Sequence, residues 1–209
     1  MKEKELDRLK NLKKDEESLY SSKIKYICGI DEAGRGPLAG PVVVGAVILP
    51  VDSLIEGVND SKKISEKKRE RVFEEIVSTA ISYSTGIVDQ RTIDEINILN
   101  ATKLAVKKAI EGLEIKPDLI LVDALTGIET FGILYKSIIK GDAKEYSIAA
   151  ASIIAKVTRD RMMLEWDKVF PEYGFAKHKG YGTASHIQAL KENGPCMLHR
   201  KTFIKNFIK

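Results

Sequence analysis

The sequence predicts an α/β domain with a mainly helical, basic C-terminal end. Three observations lead there. Short β-compatible runs alternate with long stretches of helical periodicity. Two of the runs, residues 26–31 (YICGID) and 119–123 (LILVD), are apolar until a terminal aspartate. From Phe170 onward the basic residues Lys177, Lys179, Lys191, Arg200, Lys201, Lys205 and Lys209 face only Glu172 and Glu192, and all three histidines lie in the same stretch. A chain of 209 residues suits one domain, and at this size roughly 70% of the unfolded surface is buried, enough for an ordinary apolar core.

Taken in order, residues 1–22 read as a charged helical extension with Leu6, Leu9, Leu12 and Leu19 near helical spacing, followed by the main domain over 23–209. Residues 26–31 and 42–49 are strands, the second almost wholly apolar, and the glycine- and proline-rich 33–41 between them is a loop. Ser65 is a candidate N-cap, with Lys68 where a capping box would place Glu. Its helix carries Val72, Phe73, Ile76 and Val77 on one face. A strand over 83–88 leads to Asp89 and Thr92 as further caps. Residues 97–113 form a helix striped by Ile98, Leu99, Ala101, Leu104, Ala105 and Ala109, which Gly112 and Pro117 end. The strand 119–123 and a β-branched run before Gly141 precede a helix over 147–166, whose small residues Ala149, Ala150, Ala151 and Ser152 suit close packing on a sheet.

Composition excludes several classes. Hydrophobic residues at 44% with charged residues at 31% describe a globular chain rather than a disordered one. The longest apolar run, 42–49, is too short to span a bilayer, and the N-terminus has no apolar core of a secretory signal. Cys28 and Cys196 do not make a disulfide framework, so a cytoplasmic location is expected. The net charge of +4 is by itself weak evidence for a polyanionic partner. The basic C-terminal stretch is either a solvated tail or a nucleic-acid contact face.

Asp31 and Asp123 end strands, Glu32 follows Asp31, and Asp142 follows Gly141. In open α/β sheets the carboxyl ends of strands are where ligands bind. The plain alternative for each acid is a turn or helix cap. Gathered together, these carboxylates repel, by roughly 4 kcal/mol for a pair about 4 Å apart at an effective dielectric near 20, so a cluster needs cations. An oxygen-only donor set selects Mg²⁺ or Mn²⁺ over zinc. Two such ions clamping the attacking and leaving oxygens would make a phosphodiesterase. Neighbouring strand residues point to opposite faces, so Asp31 and Glu32 share a site only if the strand ends there.

The loop Gly34-Arg35-Gly36-Pro37-Leu38-Ala39-Gly40 is not a phosphate-binding P-loop, because Pro41 follows where Lys and Ser/Thr are needed. It is not a dinucleotide fingerprint either, since it carries Pro37 and leads into a strand. It is a tight strand connection, or a glycine-lined backbone that admits a nucleic-acid sugar with Arg35 supplying charge. Tyr181, between Gly180 and Gly182 with basic neighbours, is a loop anchor or a stacking platform for a base.

Together these residues resemble the prokaryotic type 2 ribonucleases H. The resemblance rests on residues 31–42 (DEAGRGPLAGPV), Asn59-Asp60-Ser61-Lys62, Val122-Asp123-Ala124-Leu125, Lys140-Gly141-Asp142, 148–160 (IAAASIIAKVTRD), 179–183 (KGYGT) and His199-Arg200. It runs from about Lys25 to Phe203. It implies a ribonuclease H-like mixed β-sheet flanked by helices, with a helical C-terminal extension that helps hold the substrate. It places four acidic metal ligands on Asp31, Glu32, Asp123 and Asp142, for two ions of Mg²⁺ or Mn²⁺. It assigns Gly34, Arg35 and Gly36 to sensing the ribose 2′-hydroxyl, the group that tells RNA from DNA, and Tyr181 to completing junction recognition. Lys62 and the C-terminal lysines would contact phosphates. The implied partners are RNA/DNA hybrids and DNA duplexes containing ribonucleotides, cut on the 5′ side to leave 3′-hydroxyl and 5′-phosphate ends. A monomer with no obligatory protein partner is expected. Arg35, Tyr181 and the short leader speak against the type 3 enzymes, and the adjacent Asp31 and Glu32 against type 1. A binding module that had lost activity would gain nothing from carboxylates facing phosphates, and a transposase-like or junction nuclease would lack the Gly34-Arg35-Gly36 and Tyr181 elements.

Overall fold

The computed structural model describes residues 1–208. Five strands, β1 (Ile27–Ala33), β2 (Val42–Ile48), β3 (Ser82–Val88), β4 (Leu119–Asp123) and β5 (Leu134–Ile138), form one sheet in the order β3-β2-β1-β4-β5. The hairpin-like β1–β2 and β2–β3 pairs are antiparallel, whereas β1–β4 and β4–β5 are parallel. The helices are α1 (Glu3–Glu17), α2 (Glu66–Thr79), α3 (Gln90–Glu111), α4 (Tyr146–Val169), α5 (Phe175–His178), α6 (Ala184–Asn193) and α7 (Lys201–Ile204). This is the helix-flanked mixed sheet, with a helical C-terminal part, that the sequence predicts. Among the described residues, no helix is long and apolar enough to cross a membrane.

Helix α3 covers one face of the sheet, where Cys28, Ile30, Val44, Ala46, Ile120 and Val122 meet Ala101, Ala105, Val106 and Ala109. Helix α4 covers the other, with α1 and α2 outside it. Strand β2 is buried along its whole length, which is why it reads as an unbroken apolar run. The approach of α4 is unusually close. A Cβ at Gly29 would land on the Ser147 carbonyl, and one at Gly45 would meet the Ala151 carbonyl. The small residues at the start of α4 and these two strand glycines therefore work as one contact.

Caps define the helix starts. Ser65 accepts from the Lys68 amide, and Asp89 from the Thr92 amide at 2.9 Å. Helix α4 lacks a side-chain cap of its own; Glu16 of α1 accepts from the Ser147 amide at 2.8 Å. Leu9 of α1 is buried against α4, and Lys13 donates to the Ser53 carbonyl at 2.7 Å.

Three local features differ from the sequence expectations. Strand β1 does not stop at Asp31 but runs to Ala33, because Asp31, Glu32 and Ala33 keep pairing with Gly45, Val44 and Val43 after the parallel partner β4 has left at Val122. Helix α3 begins at Gln90 and bends at Asn97 (φ 66°), whose side chain accepts from the Asn100 amide and so restarts the helix. Strand β5 is a full edge strand rather than a β-branched run alone. Its LYKSI is largely exposed, so it carries no burial pattern, and backbone pairing to β4 defines it.

The Gly29→Ala substitution should destabilise the fold by about 3 kcal/mol or more, beyond ordinary overpacking, because backbone rather than a side chain must move. Chemical denaturation against the wild type measures it.

Candidate active site

Strand parity decides which acids meet. In β1, Cys28 and Ile30 face α3, so Asp31, in step with Ile27 and Gly29, faces α4. In β4, Ile120 and Val122 face α3, so Asp123 also faces α4. Ile30 pairs with Val122, which sets the next residues, Asp31 and Asp123, side by side where the parallel pairing ends. Asp142 arrives from the 3₁₀ turn Gly141–Ala143 that leads into α4. That turn is tied down by a 2.7 Å bond from the Gly141 amide to Asp123 Oδ1. Carboxylate oxygens of Asp31, Asp123 and Asp142 lie within 4.8 Å of one another.

The fourth predicted acid stands apart. Glu32 lies outside that trio and its Oε1 accepts from Arg35 Nη1 at 3.2 Å, yet its carboxylate is close enough to raise that of Asp31. Both acids nevertheless line one cavity of about 170 Å³ with Gly34, Arg35, Gly36, Lys62, Lys156 and Tyr181. A larger cavity of about 590 Å³ opens between Gln90, Asp94, Cys196 and Lys201, but no acid cluster faces it. The chemistry follows the carboxylates, not the volume.

The charge balance is strained. Asp31 is 5% exposed, and burial, reinforced by Glu32, Asp123 and Asp142, holds its carboxyl well above the usual range. Burial also raises Glu32, against the opposing pull of Arg35. Burial raises Asp142 too, with Asp60 and Asp123 adding repulsion. Lys62 Nζ lies 3.8 Å from Asp142 Oδ2. Burial alone would lower the lysine, but Asp142, Asp31, Asp60 and Asp123 outweigh it and raise it. A buried, oxygen-only, like-charged donor set fits a hard divalent cation, with Asp31, Asp123 and Asp142 as its nearest holders.

Two buried arginines shape the adjoining loop. Arg200 donates to the carbonyls of Gly34 (2.6 Å), Arg35 (2.9 Å) and Gly40 (2.8 Å). Arg159 donates to those of Pro41 (2.9 Å), Ala39 (3.0 Å) and Lys179 (2.8 Å). Gly34 adopts φ +97° against the Arg159 side chain, where a Cβ has no room, whereas Gly36 faces open space. Tyr181 is 41% exposed, with Lys156 Nζ and the Arg159 guanidinium 5.7 and 5.8 Å from its ring centroid. Lys156 itself donates to Asp160 at 2.7 Å.

Sequence reasoning gave no role to Lys156, Arg159 or Arg200, although each lies in a motif quoted for the resemblance. A guanidinium that binds carbonyls contributed by several loops leaves no spacing signal. Two members of the basic C-terminal stretch are also turned inward: Arg200 is fully buried, and Lys179 bonds the Ala176 carbonyl. Neither is free to meet a phosphate.

The family model for ribonuclease HII matches residues 28–206. The chain belongs to the ribonuclease HII family. A ribonuclease HII of Acetivibrio thermocellus is 57% identical over 206 residues, covering 99% of this chain and 80% of the relative. One of Caldicellulosiruptor saccharolyticus is 56% identical over 194 residues, covering 93% and 94%. Among solved structures, the ribonuclease HII of Archaeoglobus fulgidus, in complex with PCNA, superposes with a TM-score of 0.72 at 30% identity, over 87% of this chain and 96% of that one. As a ribonuclease HII family member, this chain is a metal-dependent endoribonuclease acting on RNA/DNA hybrids.

Carboxyls raised in the folded state stabilise it fully below their unfolded pKa, about 4, and that contribution is lost as pH rises through the higher folded values. The cluster's own contribution, read as the difference between the wild type and Asp31→Asn without metal, should therefore fall as pH rises from about 4 towards neutrality, and Mn²⁺ should restore it. Asp31→Asn should stabilise the metal-free protein at pH 8 by about 1–3 kcal/mol and shrink the Mn²⁺ effect. Thermal unfolding with EDTA or Mn²⁺ reads both.

Proposed function

We propose that the chain hydrolyses the RNA strand of RNA/DNA hybrids and nicks duplex DNA on the 5′ side of a single embedded ribonucleotide, leaving 3′-hydroxyl and 5′-phosphate ends. The observation that carries this reading is the double membership of Asp31. It belongs to the three-carboxylate cluster and also lines the cavity shared by Gly34, Arg35, Gly36 and Tyr181. A phosphate held at the cluster therefore places its neighbouring sugar and base against the loop and the tyrosine.

In this scheme Asp31, Glu32, Asp123 and Asp142 hold two ions of Mg²⁺ or Mn²⁺. Bound there, the ions supply charge neutralisation at the attacking and leaving oxygens and acidify a water. Asp31, the most buried of the four and flanked by the others, would be the central holder of the pair. Glu32 joins the set once Arg35 leaves it for the substrate. Arg35, on a backbone opened by Gly34 and Gly36, reads the ribose 2′-hydroxyl. Lys62 meets a phosphate beside Asp142, and Tyr181 stacks at the junction. No histidine is needed as a general base, and a monomer without an obligatory partner suffices.

The test is a DNA duplex with one ribonucleotide, incubated with Mg²⁺ or Mn²⁺ and mapped against an EDTA control. One metal-dependent 5′ nick is expected. Cleavage of long hybrids alone would remove the roles given to Arg35 and Tyr181, and no cleavage of either would remove the reading. Asp123→Asn should lower turnover at least about 10³-fold while sparing the fold, since it removes a ligand from a group that neutralises transition-state charge. Full activity in that variant would sink the metal assignment.

A further inference from the structure

The three histidines play no part in that scheme, yet all are buried, and His186 reaches the Tyr181 carbonyl. The His178 and His186 rings stack with centroids 4.3 Å apart, and Phe175 sets its edge or face against both. Tyr173 packs edge-on against His199 at 4.9 Å. Their hydrogen bonds leave each ring one arrangement of protons. A backbone amide can only donate, so the bond from the Cys196 amide to His199 Nδ1 (3.0 Å) requires that nitrogen bare. The His199 proton is then on Nε2, where it meets His186 Nε2 at 3.1 Å. That nitrogen must accept, so the His186 proton sits on Nδ1 and is given to the Tyr181 carbonyl at 2.9 Å. His178 follows the same logic. It accepts from the Gly180 amide at Nδ1 and donates from Nε2 to the Tyr173 carbonyl at 2.8 Å. Burial lowers all three pKa values, His199 to about 4, so the neutral rings this pattern needs are the ones present at neutral pH.

The pattern has a direction and an end point. It starts at the Cys196 amide, crosses two imidazoles and terminates on the carbonyl of Tyr181. Its other end is anchored beside the glycine loop, because His199 bridges to Ala39 and the next residue, Arg200, binds the Gly34 and Arg35 carbonyls. We propose that His186 and His199 are positioning residues that fix Tyr181 relative to the Arg35 loop and thereby set recognition of the ribonucleotide–DNA junction. The proposal rests on the junction role given above to Tyr181. The imidazoles touch neither substrate nor carboxylates. They hold the tyrosine's main chain, so its ring meets the junction at one height and angle without an ordering cost on binding.

The test separates hydrogen bonding from packing at His186. Phe keeps the ring's size among Phe175 and His178 but removes both nitrogens, leaving the Tyr181 carbonyl with the Thr183 amide alone as donor, at 2.8 Å. Asn loses the ring but places an amide nitrogen where Nδ1 stood. On a duplex with one ribonucleotide, His186→Phe should raise KM about tenfold, the scale of one lost buried hydrogen bond, with kcat within about twofold, while His186→Asn stays near the wild type. His199→Gln, which keeps a donor towards His186, should also stay near the wild type. The effect of His186→Phe should vanish in a Tyr181→Ala background. Asn worse than Phe, or a Phe effect that adds to that of Tyr181→Ala, would mean that the histidines merely pack, and overturns the proposal. If Tyr181→Ala alone raises KM and His186→Phe does not, the relay falls and the junction role stands. If Tyr181→Ala alone changes nothing, both fall. Should the Phe variant not fold, Asn and Gln variants that raise KM as much as Tyr181→Ala would overturn the relay equally.

Discussion

Like charges gathered out of water set the problem that the rest of this structure answers. Asp31, Asp123 and Asp142 would separate if the backbone let them, and Lys62 and Lys63 at the rim offset their charge only in part. The backbone does not let them. Asp31 and Asp123 stand side by side where two adjacent parallel strands stop pairing, and the Asp142 turn is bonded to Asp123 through the Gly141 amide. Behind them α4 sits on Gly29 and Gly45 at backbone contact distance. Its start can neither rise from the sheet nor slide along it without breaking that fit. The repulsion is thus stored in the native state, where a divalent cation can release it on binding.

The neighbouring loop is managed by the opposite charge. Two guanidinium groups lie in the interior without a carboxylate on either fork, and main-chain carbonyls satisfy them. Arg159 comes from α4 and Arg200 from the segment before α7, so the loop is gripped from the sheet side and from the C-terminal side together. The carboxylate cluster and the tyrosine are held by different elements, but both sets of constraints pass through α4.

Much of this was legible in the residues. The parity of YICGID and LILVD, apolar up to a last aspartate, announced two buried strands and put Asp31 and Asp123 on equivalent ends. The small residues after Ser147 announced a close helix. What stayed hidden was non-local. Nothing in DEAGRG says that β2 keeps pairing past Asp31, or that Glu32 accepts from Arg35. The edge strand β5 has no buried face to write a pattern. The arginine grip joins distant residues through backbone groups that carry no residue identity, and the histidine chain joins His186 to His199 ring to ring, a pairing no spacing rule announces. Family resemblance supplied Glu32 and the arginine-bearing loop where spacing left alternatives open, and the comparisons with known proteins agree with that family.

The manner in which the loop is gripped has a bearing on how such a protein can change. Arg159 and Arg200 take hold of oxygen atoms that every amino acid possesses, so the path of the chain from Gly34 to Pro41 is written by two distant side chains and by the glycine at its start. The side chain at position 35 takes no part in that grip and binds Glu32 instead. Form and chemistry are thereby decoupled within one short stretch. A different side chain could stand at position 35 on a largely unaltered backbone, so the group the loop presents can vary while the architecture stays put.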